Sequence, residues 1–207
     1  MNAEATAKPL SLAAALIGWS FVSPRLPGAW RVVLQAGIGG LLVLATRAPL
    51  GLGPPRLWAG LRLGSAAGAA AVAAIAATTP LPPVRLSMAA RDIPVPAPGW
   101  LLLRIPIGTV WSEEAAFRGA LATAGSRAFG KSGARLLQAT AFGLSHVADA
   151  RAVGEPVAAT VLATGIAGWL FGWLADRCRS LAAPMLVHLA INEAGAAAVL
   201  TVQRRPR

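Results

Sequence analysis

Apolar stretches of about the length needed to cross a bilayer recur along almost the whole chain, and this repetition constrains the fold more than any other feature. Spanning about 30 Å of hydrocarbon takes roughly 20 helical residues. Seven segments approach that length, at about 10–23, 30–47, 57–79, 99–121, 133–149, 156–175 and 180–202. In lipid each backbone N–H and C=O has to be satisfied by the protein itself, which leaves helices as the natural form for segments this long. Prolines stand between the earlier segments: Pro24 and Pro27, Pro49 with Pro54 and Pro55, then Pro80, Pro82 and Pro83. Each set ends a helix. The expected fold is an all-α, polytopic transmembrane bundle of about seven helices.

Composition agrees. The chain is 56% hydrophobic and 13% charged, whereas an average soluble domain is roughly 25% charged. Tyrosine is absent and alanine and glycine are abundant, which suits helices packed closely in lipid. The net charge of +11 raises the question of nucleic acid, but the basic residues fall singly or in pairs between apolar stretches and form no continuous face. They read as headgroup anchors, so the bilayer is the expected partner and nucleic acid is not. With seven spans, Lys8, Arg47, Arg56, Arg127, Lys131, Arg135, Arg177 and Arg179 fall on the N-terminal side. Arg25, Arg31, Arg85, Arg91, Arg151, Arg204, Arg205 and Arg207 fall on the other. The two sets balance, so charge bias sets no orientation.

The apolar run Leu10–Val22 superficially resembles a signal peptide, but its leading residues are weakly basic and further spans follow, so a retained first helix is expected. Residues 80–98, rich in proline, are the longest connection and are expected to be a loop. It is expected to divide an N-terminal scaffold, 1–98, from a C-terminal helical core, 99–207. In the third segment Gly64 and Gly68 offer close packing, and Arg62 is placed to snorkel to the interface. Cys178, the single cysteine, lies between Arg177 and Arg179. It permits neither an intramolecular disulfide nor a cysteine metal site, and is expected to be an incidental thiol in an interfacial loop.

The chemistry is concentrated in the second half. Glu113 and Glu114 sit inside the fourth apolar segment, where a charged side chain costs roughly 2.5–3.5 kcal/mol on insertion scales. Arg118 lies four residues after Glu114, on the same helical face, so the two can pair. Glu113 projects about 100° away and is free to face another helix or a buried water. The bland alternative is a structural ion pair beside a carboxylate at the membrane surface. Both histidines of the chain, His146 and His188, also fall in apolar segments. His188 and Asn192 are four apart, so one helix presents an imidazole and a carboxamide side by side, both able to donate to a developing oxyanion. Glu113 is the candidate base, since a carboxylate stripped of bulk water takes a proton more readily, with His146 helping to hold the attacking water. This set suits amide hydrolysis without a serine triad. Ser112 and Ser145 are expected to point to helix faces other than those of their polar neighbours.

Taken together, the motifs resemble those of the CPBP family of intramembrane proteases, also called the CAAX protease and bacteriocin-processing or Abi family. The paired-glutamate motif corresponds to Glu113, Glu114 and Arg118, with Gly119 a further match. Phe-x-x-x-His corresponds to Phe142 and His146, and His-x-x-x-Asn to His188 and Asn192. The resemblance covers roughly residues 99–202. It implies an all-helical membrane endopeptidase in which Glu113 and His146 activate water, His188 and Asn192 stabilise the oxyanion, and Glu114 and Arg118 support that geometry, with Phe142 beside them. The family is often labelled metalloprotease, and zinc, if present, would take Glu113, His146 and His188. The chain has no His-Glu-x-x-His, so a metal-free glutamate mechanism is placed ahead and no metal ligand is assigned.

The expected substrate is a peptide or membrane protein, of which a prenylated Cys-a-a-X end is one family option, and the expected location is a bacterial plasma membrane. Two rival readings remain at this level: a membrane protein that binds and sequesters a peptide without cleaving it, as in bacteriocin self-immunity, and a proton or solute transporter using the buried carboxylates.

Overall fold

The computed structural model describes residues 3–93 and 96–204, so Arg205 and Arg207 lie outside the described residues. The described residues form helices and short connections, with no strand among them. Helix α1 covers Ala3–Val22, α2 Gly28–Thr46 and α3 Arg56–Thr78. A short α4, Pro82–Ala89, follows. Helix α5 runs unbroken over residues 97–129 and α6 over 131–145. Then come α7 at Val147–Ala152, α8 at Val157–Cys178 and α9 at Ala182–Arg204.

The all-helical bundle is as expected, but the segments differ in three places. The proline-rich connection 80–98 is not simply a loop, because Pro82 and Pro83 open α4. Proline's fixed φ suits a first helical turn, where its missing N–H would have had no partner. The fourth segment does not stop near 121. Helix α5 continues until Gly130, whose φ of 70° and ψ of 176° break the helical path before α6, a conformation a glycine adopts without steric cost. Finally, α6 ends at Ser145, so His146 lies at its C-terminal cap and not inside a helix.

Among the described residues four helical segments are long and apolar enough to cross a membrane: Ala5–Arg25, Arg56–Thr78, Val157–Cys178 and Ala182–Arg204, with a shorter apolar helix at Trp30–Thr46. Helices α5 and α6 are not among them, because α5 carries the charged centre and α6 is short. The outward faces of α2 and α8 leave Trp30, Leu41, Leu44, Leu162, Ile166 and Trp169 exposed, an apolar girdle that lipid would cover. The chain is a multi-pass integral membrane protein.

Helix α9 packs along α3, and small residues set the distance. A Cβ added at Gly64 would stand 2.9 Å from Cα and the carbonyl oxygen of Ala183. One at Gly68 would stand 3.2 Å from the Ala190 Cβ. The close packing expected of Gly64 and Gly68 thus seats the helix that carries His188 and Asn192. Interhelical hydrogen bonds define the two ends of the bundle. At one end Leu181 N–H donates to the Leu50 carbonyl at 2.9 Å, and Arg127 donates to the Thr46 carbonyl at 3.0 Å. At the other, Gln203 donates to the Met88 and Arg91 carbonyls. Cys178 is buried as the last residue of α8, its Sγ 3.5 Å from the Ala59 carbonyl, and does not lie in an interfacial loop. The thiol packs as a small apolar group against α3.

Candidate active site

Helix α5 sets the position of both glutamates. It hydrogen-bonds in the wider i→i+5 pattern over Trp100–Trp111 and Glu114–Leu121, a distortion that recurs at functional sites. Pro106 sits inside the first stretch and can donate no hydrogen bond to it. The Trp111 indole N–H donates to the Ala36 carbonyl at 3.2 Å and ties α5 to α2 just before the glutamate pair.

Glu114 is fully buried. Its Oε1 lies 3.2 Å from Nη1 of Arg118, the expected i, i+4 ion pair, and 2.8 Å from Nδ1 of His188. The second partner was not expected. A carboxylate can only accept, so His188 Nδ1 carries the hydrogen in this bond and the ring is held with Nε2 facing the other way. Nε2 faces Glu113, whose Oε2 is 3.8 Å distant. That gap is too long for a direct hydrogen bond.

Arg118 is held by aromatic faces as well as by Glu114. Its Cζ stands 4.0 Å from the Phe142 ring centroid and 5.0 Å from that of Phe171. Cation–π attraction offsets part of the cost of burying the guanidinium. Phe142 also meets His146 at 4.7 Å and His188 at 6.1 Å between ring centroids. One phenyl ring therefore packs against the guanidinium and both imidazoles. Phe171 stands 5.2 Å from the His188 ring.

His146 is oriented by its own helix. Its Nδ1 donates to the Phe142 carbonyl at 2.7 Å, which leaves Nε2 of a neutral ring as an acceptor for a water proton. The end of α6 places this side chain at the wall of a cavity of about 590 Å³, shared with Glu113, His188 and Asn192. Among the described residues the Asn192 side chain makes no hydrogen bond, and Glu113 Oε2 is buried without a partner. The four residues thus meet in one chamber, while Glu114, Arg118 and Phe142 stand behind it. Ser112 and Ser145 line the same chamber. Their hydroxyls bond to the Gly108 and Phe142 carbonyls, at 2.5 and 2.8 Å. Those bonds keep both oxygens turned to the backbone.

The chamber is not built by the second half alone. Trp19 and Ser23, near the end of α1, and Gln35 and Gly39 on α2 also line it. Gln35 had a signal, being the one amide side chain in an otherwise largely apolar segment. Phe171 had none, since an aromatic in an apolar helix is ordinary.

Zinc would require Glu113, His146 and His188 to converge. The Phe142 ring packs against both imidazoles, and among the described residues no three His, Cys, Asp or Glu side chains lie close enough together to hold a metal ion. As placed, these donors do not fit zinc.

An ionisable centre enclosed by apolar helices and opening into a polar chamber places the chain among multi-pass membrane proteins built around buried chemistry. More narrowly, residues 95–194, just under half of the chain, match the family model described as type II CAAX prenyl endopeptidase Rce1-like. The resemblance to CPBP intramembrane proteases drawn from the three motifs is borne out by this match. No curated protein and no solved structure matches the chain.

Proposed function

We propose that the protein is an intramembrane endopeptidase that hydrolyses a peptide bond of a membrane-associated protein or peptide by direct attack of water. The observation that carries this reading is the arrangement of Glu113 and His188 across one chamber, 3.8 Å apart, with the His188 ring fixed from behind by buried Glu114. Glu113 takes a proton from the water, and His146 accepts the other hydrogen through Nε2, so the oxygen lone pair is aimed at the carbonyl. As the C=O becomes an oxyanion, the Asn192 amide and His188 donate to it. His188 can do so only while Nε2 carries a proton. An imidazolium there, with Glu113, Glu114 and Arg118, sums to zero charge, which limits the cost of burying the set. Glu113 then passes its proton to the leaving amine as the C–N bond breaks.

The mechanism is proposed to need no metal. The Rce1-like match favours a substrate presented at a lipid surface, with a prenylated Cys-a-a-X end as the first candidate. The test is incubation of the purified protein in lipid nanodiscs with a prenylated peptide of that type, before and after exhaustive chelation, with products identified by mass. Cleavage in both conditions is expected. Peptide that binds but stays intact would establish the sequestering reading instead, and cleavage lost on chelation and restored by zinc would overturn the metal-free route.

A further inference from the structure

Behind the Glu114–Arg118 pair lies a second cavity of about 300 Å³, which the proposed proteolysis does not use. It sits at the end of the bundle where α3 and α9 begin and α8 ends, and its wall includes Arg56, Arg118, Lys131, Arg135 and Arg179. The acid on its wall is Asp176, which is spoken for: Arg135 Nη2 holds its Oδ2 at 2.6 Å. Arg56, Lys131 and Arg179 have no ion-pair partner among the described residues.

Arg118 distinguishes this cavity from a merely basic surface. Its side chain is wholly buried and lines the cavity; Nη1 stands 3.2 Å from Glu114 Oε1 in their ion pair, while Nε and Nη2 have no hydrogen-bonded acceptor among the described residues. The Phe142 and Phe171 rings lie near the guanidinium carbon, whereas its N–H groups lie in the guanidinium plane, where an oxyanion is bound in a fork. Beside it Gln138 spends its Nε2 on the Arg135 and Gly168 carbonyls and keeps a buried Oε1 unpartnered. That oxygen suits a hydroxyl group. The N-termini of α3 and α9 begin at the same end and add positive potential.

We infer that this cavity binds a phosphate group, either free hydrogenphosphate or the phosphate of an anionic lipid headgroup. Arg118 is the buried anchor, and Arg56, Lys131 and Arg179 are the surrounding cations. The inference does not depend on proteolysis. Both sources present the same chemistry, an oxyanion with a neighbouring hydroxyl, and the location at a helix-end interface admits either.

Two binding measurements on the full chain separate them. Equilibrium dialysis of inorganic phosphate against the protein in a zwitterionic detergent tests the free anion. Native mass spectrometry from phosphatidylcholine nanodiscs with and without phosphatidylglycerol tests the headgroup. Each uses the double variant Arg56→Gln with Lys131→Gln, and a control, Arg25→Gln with Arg85→Gln, that removes the same charge from the opposite end. Saturable phosphate binding weakened roughly tenfold by the first pair and unchanged by the control identifies free phosphate. Retention of phosphatidylglycerol with the same pattern identifies the headgroup. No saturable binding in either measurement, or equal weakening by both pairs, overturns the site.

Discussion

Glu113 and Glu114 are adjacent in sequence and belong to two different regions of the molecule. Around Glu114 is a sealed junction: the carboxylate is fully buried, Arg118 and His188 share one of its oxygens, and Phe142 and Phe171 flank the guanidinium. Around Glu113 is a chamber wall, where the carboxylate keeps part of its side chain exposed and no strong partner. The difference teaches that adjacent carboxylates can be held differently, Glu114 by two partners on one oxygen and Glu113 with one direction left free. The first arrangement fixes geometry, and the second leaves a lone pair for chemistry.

That contrast breaks most readily at the junction. Glu114→Ala leaves the Arg118 guanidinium buried and unpaired and is expected to destabilise the folded protein by about 3–5 kcal/mol, read from denaturant unfolding in micelles. A variant as stable as the parent would mean that the junction is not the structural region. Asn192→Ala touches only the chamber. Its expected effect is a loss of roughly 10²–10³-fold in kcat with KM little changed and thermal stability retained, since an oxyanion donor acts chiefly in the transition state. A smaller effect belongs to Phe171→Leu, which removes one aromatic face from Arg118 and should cost about 1–2 kcal/mol in unfolding free energy. Least of all, Ser145→Ala should leave cleavage within about twofold, because its hydroxyl serves the helix backbone. A complete loss there would move the nucleophile from water to serine.

Much of this was legible in the chain itself. The Glu114–Arg118 pair follows from helical spacing, and the match over residues 95–194 agrees with the motifs read from Glu113 to Asn192. The small residues Gly64 and Gly68 announced a tight helix contact, which proves to be with α9. What spacing does not reveal is which helix lies opposite. The His188–Glu114 bond joins residues 74 positions apart, and no local pattern encodes it. The place of His146 at a helix end was hidden because Val147–Ala152 continues the helical pattern after a single turn residue.

In the proposed mechanism Glu113 acts on water while Glu114 holds the structure, and the direct test is Glu113→Gln assayed for cleavage, peptide binding and unfolding in one preparation. The predicted result is a loss of cleavage of about 10²–10⁴-fold, with peptide affinity and unfolding midpoint close to those of the unaltered protein. Cleavage that continues at the original rate in a folded, peptide-binding Glu113→Gln protein would contradict it.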